Sequence, residues 1–163
     1  MGWNDSTSQV TSVTDTAGNT YILAVGPTRG TALSQSIYYA SNIAAGNNTV
    51  KVTFNQAVPY PDIRILEYKG LSSVDVTAAQ TGTGNSVTCG AATTTTANEL
   101  IFGANTISTT TNRAGSGFTA RIITSIDGDL VEDRTVTSAG SYAATCSING
   151  NGKWVMQMVA FRK

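Results

Sequence analysis

Along residues 49–54 apolar and polar side chains alternate without a break. Val50, Val52 and Phe54 fall on one face, and Thr49, Lys51 and Thr53 on the other. A period of two is the signature of a half-buried β-strand. The same reading, with Gly, Asn and Pro clusters as boundaries, predicts strands at about 9–15, 20–25, 33–40, 62–68, 74–77, 86–89, 99–104, 118–125, 130–137, 141–148 and 153–162. Residues 62–68 and 153–162 are apolar on both faces, as expected of central strands between two layers. No segment sustains a 3.6-residue period, so helices beyond single turns are not expected. Many short strands joined by turn residues predict an all-β fold, a two-layer β-sandwich of jelly-roll or immunoglobulin-like type.

The chain also echoes itself. Gly2-Trp3-Asn4 parallels Gly103-Ala104-Asn105, and Ala17-Gly18-Asn19-Thr20-Tyr21 parallels Ala114-Gly115-Ser116-Gly117-Phe118. Arg64-Ile65-Leu66-Glu67-Tyr68-Lys69 parallels Gln157-Met158-Val159-Ala160-Phe161-Arg162. The repeat is too long for a solenoid. It predicts one domain over 1–163 built from two weakly similar halves, about 1–80 and 81–163. The second half opens with an apolar strand, Asn98-Glu99-Leu100-Ile101-Phe102, ahead of Gly103, and no counterpart stands ahead of Gly2. The expectation is a missing first strand, an open sheet edge and a tendency to self-associate or to accept a strand from a partner.

Composition narrows the function. Charged residues are 12% of the chain, the net charge is zero and there is no histidine. Without a basic stripe, nucleic acid is not an expected partner. Without a long apolar run or a polybasic cluster, neither is membrane insertion. Lacking histidine, the chain lacks the usual general base and the commonest transition-metal ligand. Cys89 and Cys146 both fall on apolar strand faces. Paired, they would close a loop whose chain-entropy contribution is about 4 kcal/mol and indicate an oxidising compartment; unpaired, they are two buried thiols. No leader is visible at Met1-Gly2-Trp3-Asn4, so the cysteines are the main clue to location.

The runs Gly2-Trp3-Asn4-Asp5-Ser6-Thr7, Thr14-Asp15-Thr16-Ala17-Gly18-Asn19-Thr20-Tyr21, Asn98-Glu99-Leu100-Ile101-Phe102-Gly103 and Trp154-Val155-Met156-Gln157 resemble segments of secreted, repetitive soil-bacterial proteins. Those proteins carry β-sandwich modules, often beside immunoglobulin-like repeats. The resemblance implies a secreted or cell-surface location and a sandwich fold, but no defined activity. It also implies an apolar strand ahead of the first motif. A likeness to carbohydrate-binding modules rests on fold type and composition alone.

Three aromatics lie outside the regular apolar pattern: Trp3 beside Asn4 and Asp5, Tyr60 between Pro59 and Pro61, and Tyr38 on a face shared with Ser34 and Ser36. Rings of this kind stack on pyranose faces while amides and carboxylates bond the hydroxyls. Trp3, Asn4, Asp5, Tyr38 and Tyr60 are therefore the candidate polysaccharide site of a non-catalytic extracellular module. The alternatives are a structural or adhesive surface unit completed by a neighbouring strand, and a histidine-free glycosidase or lyase. For the latter, Glu67 shares a face with Ile63 and Ile65 in an expected central strand, where burial would raise its pKa and let it act with Asp62. No cofactor is called for. Asp127, Asp129, Glu132 and Asp133 form a weak calcium candidate, although Asp-Gly is also a common hairpin turn. The segment 80–85 lacks the lysine and helix of a phosphate loop and reads as a flexible surface loop.

Overall fold

The computed structural model describes residues 1–163. The chain folds into thirteen β-strands and no helix: β1 (Gly2–Trp3), β2 (Val10–Asp15), β3 (Ile22–Arg29), β4 (Ser34–Tyr39), β5 (Val50–Phe54), β6 (Val74–Thr88), β7 (Ala92–Thr93), β8 (Glu99–Ile107), β9 (Thr111–Ala114), β10 (Thr119–Ile123), β11 (Leu130–Val136), β12 (Ser141–Tyr142) and β13 (Thr145–Arg162). The all-β class follows from the alternation seen in the sequence. The main sheet has the order β10-β11-β8-β13-β6, with β9 also pairing β13. A three-stranded sheet, β1-β4-β3, packs on one face of it; β2-β5 and β7-β12 form two-stranded ribbons.

Strand β13 lies at the centre and is buried on both faces, as the apolar run predicts. Trp154, Met156, Met158 and Ala160 point into the larger core with Ile101, Leu130 and Val136. Val159 points the other way, against Ile37, Ala104 and Val131. Val87, Cys146 and Ile148, from the far ends of β6 and β13, join the same larger core. Two ends of one antiparallel ribbon reach a common core only if the ribbon folds over. The fold lies where the β6–β13 register shifts between Ser147 and Gly152, at a break set by Gly84 and Gly150, both with positive φ.

Residues 80–85 are thus no loop. They form the middle of β6, paired with β13 from Gln80↔Met156 to Gly84↔Gly152. The lack of side chains that suggests flexibility has a packing reason at Gly82, where a Cβ would collide with the Trp154 indole.

The two sheets are joined by buried amides as well as apolar contacts. Gln35 Nε2 donates to the Ala104 carbonyl (2.8 Å) and to Gln157 Oε1 (3.2 Å). Gln157 Nε2 donates to Thr28 Oγ1 (2.7 Å) and to the Gln35 carbonyl (2.9 Å), and Thr106 Oγ1 donates to Gln35 Oε1 (2.8 Å). Satisfied this way, the amides fix the registry of one sheet on the other; left unpaired, each would cost about 1–3 kcal/mol.

The expected disulfide is not formed: Cys89 and Cys146 are free and buried. The ladder explains why. Cys146 stands opposite Val87, while the Cys89 amide bonds the Ala144 carbonyl at 3.1 Å. The cysteines are diagonal neighbours, for which Cα atoms lie about 7–8 Å apart, beyond the span that a disulfide bridges. Burial pushes the thiols up, to about 11 for Cys89 and about 12 for Cys146.

Candidate functional site

Residues 62–68 are extended but do not form the central strand their apolarity predicts. Asp62 alone is bridged, through paired bonds with Gly2 (Gly2 N to Asp62 O, 3.0 Å; Asp62 N to Gly2 O, 2.9 Å). From Ile63 to Leu71 the backbone makes no backbone hydrogen bond. The segment is held instead by its inward side chains. Arg64, with only 3% of its side chain exposed, donates to the Asn105 carbonyl (2.7 Å) and the Leu130 carbonyl (3.2 Å). It also pairs with Asp62 (3.1 Å) and Asp129 (3.6 Å). Tyr68 donates to Asp133 (2.7 Å), whose carboxylate is gripped on both oxygens by Arg121.

This strap and β4 form the two banks of a groove of about 290 Å³. β1 separates them at Gly2, which pairs with Gln35 on β4 and with Asp62 on the strap. Met1 stands at the mouth of the groove, its carbonyl accepting from Ser36 N (3.0 Å) and its amino group donating to the Ser36 carbonyl (3.0 Å). On the inner side the groove reaches Ile37, Leu66, Phe102 and Phe161; on the outer side it reaches Val13, Tyr38, Val50 and Ile65. It therefore passes through the plane of the sheet rather than lying on one face. Asp15 braces the outer wall by accepting bonds from Tyr21 (2.9 Å), Asn19 (2.7 Å) and Asn48 (2.7 Å). Ile43, Ile63 and Ile65 remain 40%, 42% and 60% exposed along it.

The residues singled out in the sequence do not converge on this groove. Trp3 is fully buried, packed edge-to-face on Phe54 at 5.2 Å. Its ring has no face for a sugar, because the β2-β5 ribbon covers the outer side of β1. Asp5 turns back on its own loop, accepting from Thr7 N (2.8 Å), Ser8 N (2.7 Å) and Ser8 Oγ (2.6 Å). Against the upward push of partial burial, these bonds hold its carboxyl below the usual range. Asn4 donates its backbone N–H to the Pro59 carbonyl (2.9 Å), beside the loop that carries Tyr60. Tyr60 is 77% exposed with φ of 48°, and Tyr38 is half-buried in the groove.

Glu67 does share a face with Ile63 and Ile65, but that face is exposed. Asp62 is an odd number of residues away on an extended segment and so points to the opposite side, into the ion pair with Arg64. The two do not form a facing carboxylate pair. The acidic cluster also disperses. Asp127 is exposed, Asp129 accepts from Ile107 N (2.9 Å), and Glu132 and Asp133 lie on opposite faces of β11. No group of three or more such ligands converges.

Glu132 is strongly perturbed. It is fully buried, and burial pushes it up to about 7, although Gly115 N (2.8 Å) and Thr145 N (3.2 Å) donate to it. Burial likewise carries Asp129 up to about 6 against the pull of Arg64. Neither lines the groove. Comparison with known protein families, curated proteins and solved structures finds no match to the chain.

The folded state holds the Glu132 proton more tightly than the unfolded chain, so this stabilisation is complete below about pH 4.5 and is lost as pH rises through about 7. Its full size is about 3 kcal/mol. In urea unfolding, Glu132→Gln should gain about 2 kcal/mol relative to the parent between pH 5 and pH 8. A difference independent of pH would mean that Glu132 ionises as an ordinary carboxyl.

Proposed function

We propose that the chain is a non-catalytic extracellular module, a structural or adhesive unit whose first sheet is completed by a strand of neighbouring polypeptide. The observation that carries this reading is the through-going groove between β4 and the unpaired strap. Exposed backbone donors and acceptors on a sheet edge are a template for pairing, and here two such edges face one another.

The pairing order supports the reading. In the first part of the chain the neighbours run β3-β4-β1-strap, with β2 paired to β5. In the second they run β10-β11-β8-β13, with β9 paired to β13. Gly2 is flanked by Gln35 and Asp62 as Gly103 is flanked by Glu132 and Met158. We read these as two related halves of one sandwich. In the second half, the residues of β8 ahead of Phe102, Glu99 to Ile101, lie between β11 and β13 where the first half has the groove. Appending a copy of residues 96–101 directly ahead of Met1 should raise the Tm by about 5 °C or more. An unchanged Tm would count against strand completion.

Polysaccharide binding is a second reading, and Tyr60 favours it. Its ring stands out between two prolines that limit the entropy lost on stacking, with Asn4 beside the same loop. A screen of glucans, xylans and mannans should find a ligand whose retention falls about tenfold in Tyr60→Ala. Failure of every glycan to bind removes this reading.

A further inference from the structure

We infer that the groove takes a free polypeptide strand in trans. The strand is extended, apolar at consecutive positions, and antiparallel to both β4 and the strap. This rests on the strand-completion reading and adds the class of partner, its direction and its register.

The direction and register follow from the bonds at the mouth of the groove. Ser36 N donates to Met1 O (3.0 Å) on one side, and Gly2 and Asp62 exchange both of their backbone bonds on the other. In an extended chain the groups that point to one side recur at every second residue. The next groups facing the gap are therefore those of Tyr38 on β4 and of Arg64 and Leu66 on the strap. Their spacing suits a strand collinear with β1, whose carboxyl end meets Met1 and whose amino end lies toward Leu71. With about 3.3 Å per residue, the strap from Arg64 to Tyr68 accommodates about five residues.

The chemistry follows from the walls. A half-buried edge strand would need apolar residues only at alternate positions. Here the inner wall presents Ile37, Leu66 and Phe161 and the outer wall Tyr38, Val50 and Ile65, so both faces of the incoming strand meet apolar surface. The chain contains a segment of this kind. In β8, Leu100 and Ile101 are buried on opposite faces and Phe102 is partly buried, between β11 and β13. Lysine or glutamate at the central positions would be excluded, since an unpaired charge between two apolar walls is costly. Main-chain bonds would supply affinity and the two walls specificity, as in other cases of strand addition.

The test is titration of the intact chain with a synthetic peptide copying Thr96–Gly103, acetylated and amidated, followed by calorimetry and by amide NMR. Saturable binding is expected, with shifts and slowed exchange at Tyr38, Arg64 and Leu66. A spin label on the peptide amino terminus should broaden Leu71 in preference to Gly2. Proline in place of the peptide's Ile101 removes a donor from the ladder and should weaken binding at least tenfold. Ile65→Lys in the protein, at a position exposed enough to spare the fold, should weaken it about as much. Absence of binding, equal binding of the proline peptide, or shifts confined to residues outside the groove would overturn the inference. If the strand appended ahead of Met1 stabilises the chain while the free peptide fails to bind, strand completion stands and only acceptance in trans falls.

Discussion

Every buried backbone N–H and C=O needs a partner, and the architecture is set by how unevenly that requirement is met around β13 and the strap. β13 is paired along nearly its whole length, with β6 on one side and with β9 and then β8 on the other. Because both its faces are apolar, it can lie between two layers, and the rest of the chain is arranged to cover it. Met156, Met158 and Val159 are fully buried. The strap has a similar apolar sequence and runs antiparallel to β1 as β13 does to β8, yet it is paired only at Asp62. Side chains hold it in place where backbone bonds do not. Arg64 and Tyr68 fix its inner face on β8 and β11 while its outer face, with Ile63 and Ile65, stays exposed. An extended segment held in this way leaves a groove of about 290 Å³ between itself and β4.

Much of the sheet structure was legible in the sequence, because alternation reports the local environment directly. Residues 49–54, 99–104 and 130–137 all lie in strands close to their expected limits. The misreadings have physical causes. An apolar run marks a strand suited to burial, but not whether its backbone has found a neighbour, and so 62–68 reads like 153–162. Gly82 and Gly84 resemble loop residues, although Gly82 is required by the ring of Trp154 and Gly84 by a bend. The asparagine and aspartate that follow Trp3 suggest exposure, whereas a separate ribbon brings Phe54 over the indole from far along the chain. Cys89 and Cys146 do share a face, but register decides pairing, and alternation alone does not fix register.

The chain uses its scarce polar groups internally to an unusual degree. Gln35, Gln157 and Asn105 are fully buried and hydrogen-bonded between strands. Such contacts add little net stability over an apolar pair, but they penalise every other registry. Glu132, pushed up to about 7 by burial and by the neighbouring Asp133 charge, belongs to the same pattern: it accepts from the Gly115 and Thr145 amides beside the larger core. The interior therefore specifies one arrangement of the sheets even while one of them remains open.

The central claim is that the strap and the facing edge of β4 have unpaired backbones in the isolated chain. Amide hydrogen exchange under native conditions tests it directly. The account predicts rapid exchange at Tyr38 and from Ile63 to Tyr68, beside slow exchange at Ser36 and at Leu100 and Ile101, which lie in the corresponding place in the second half. Slow exchange at Tyr38, Arg64 and Leu66 in the isolated chain would mean that the gap is already bridged, and would contradict the account.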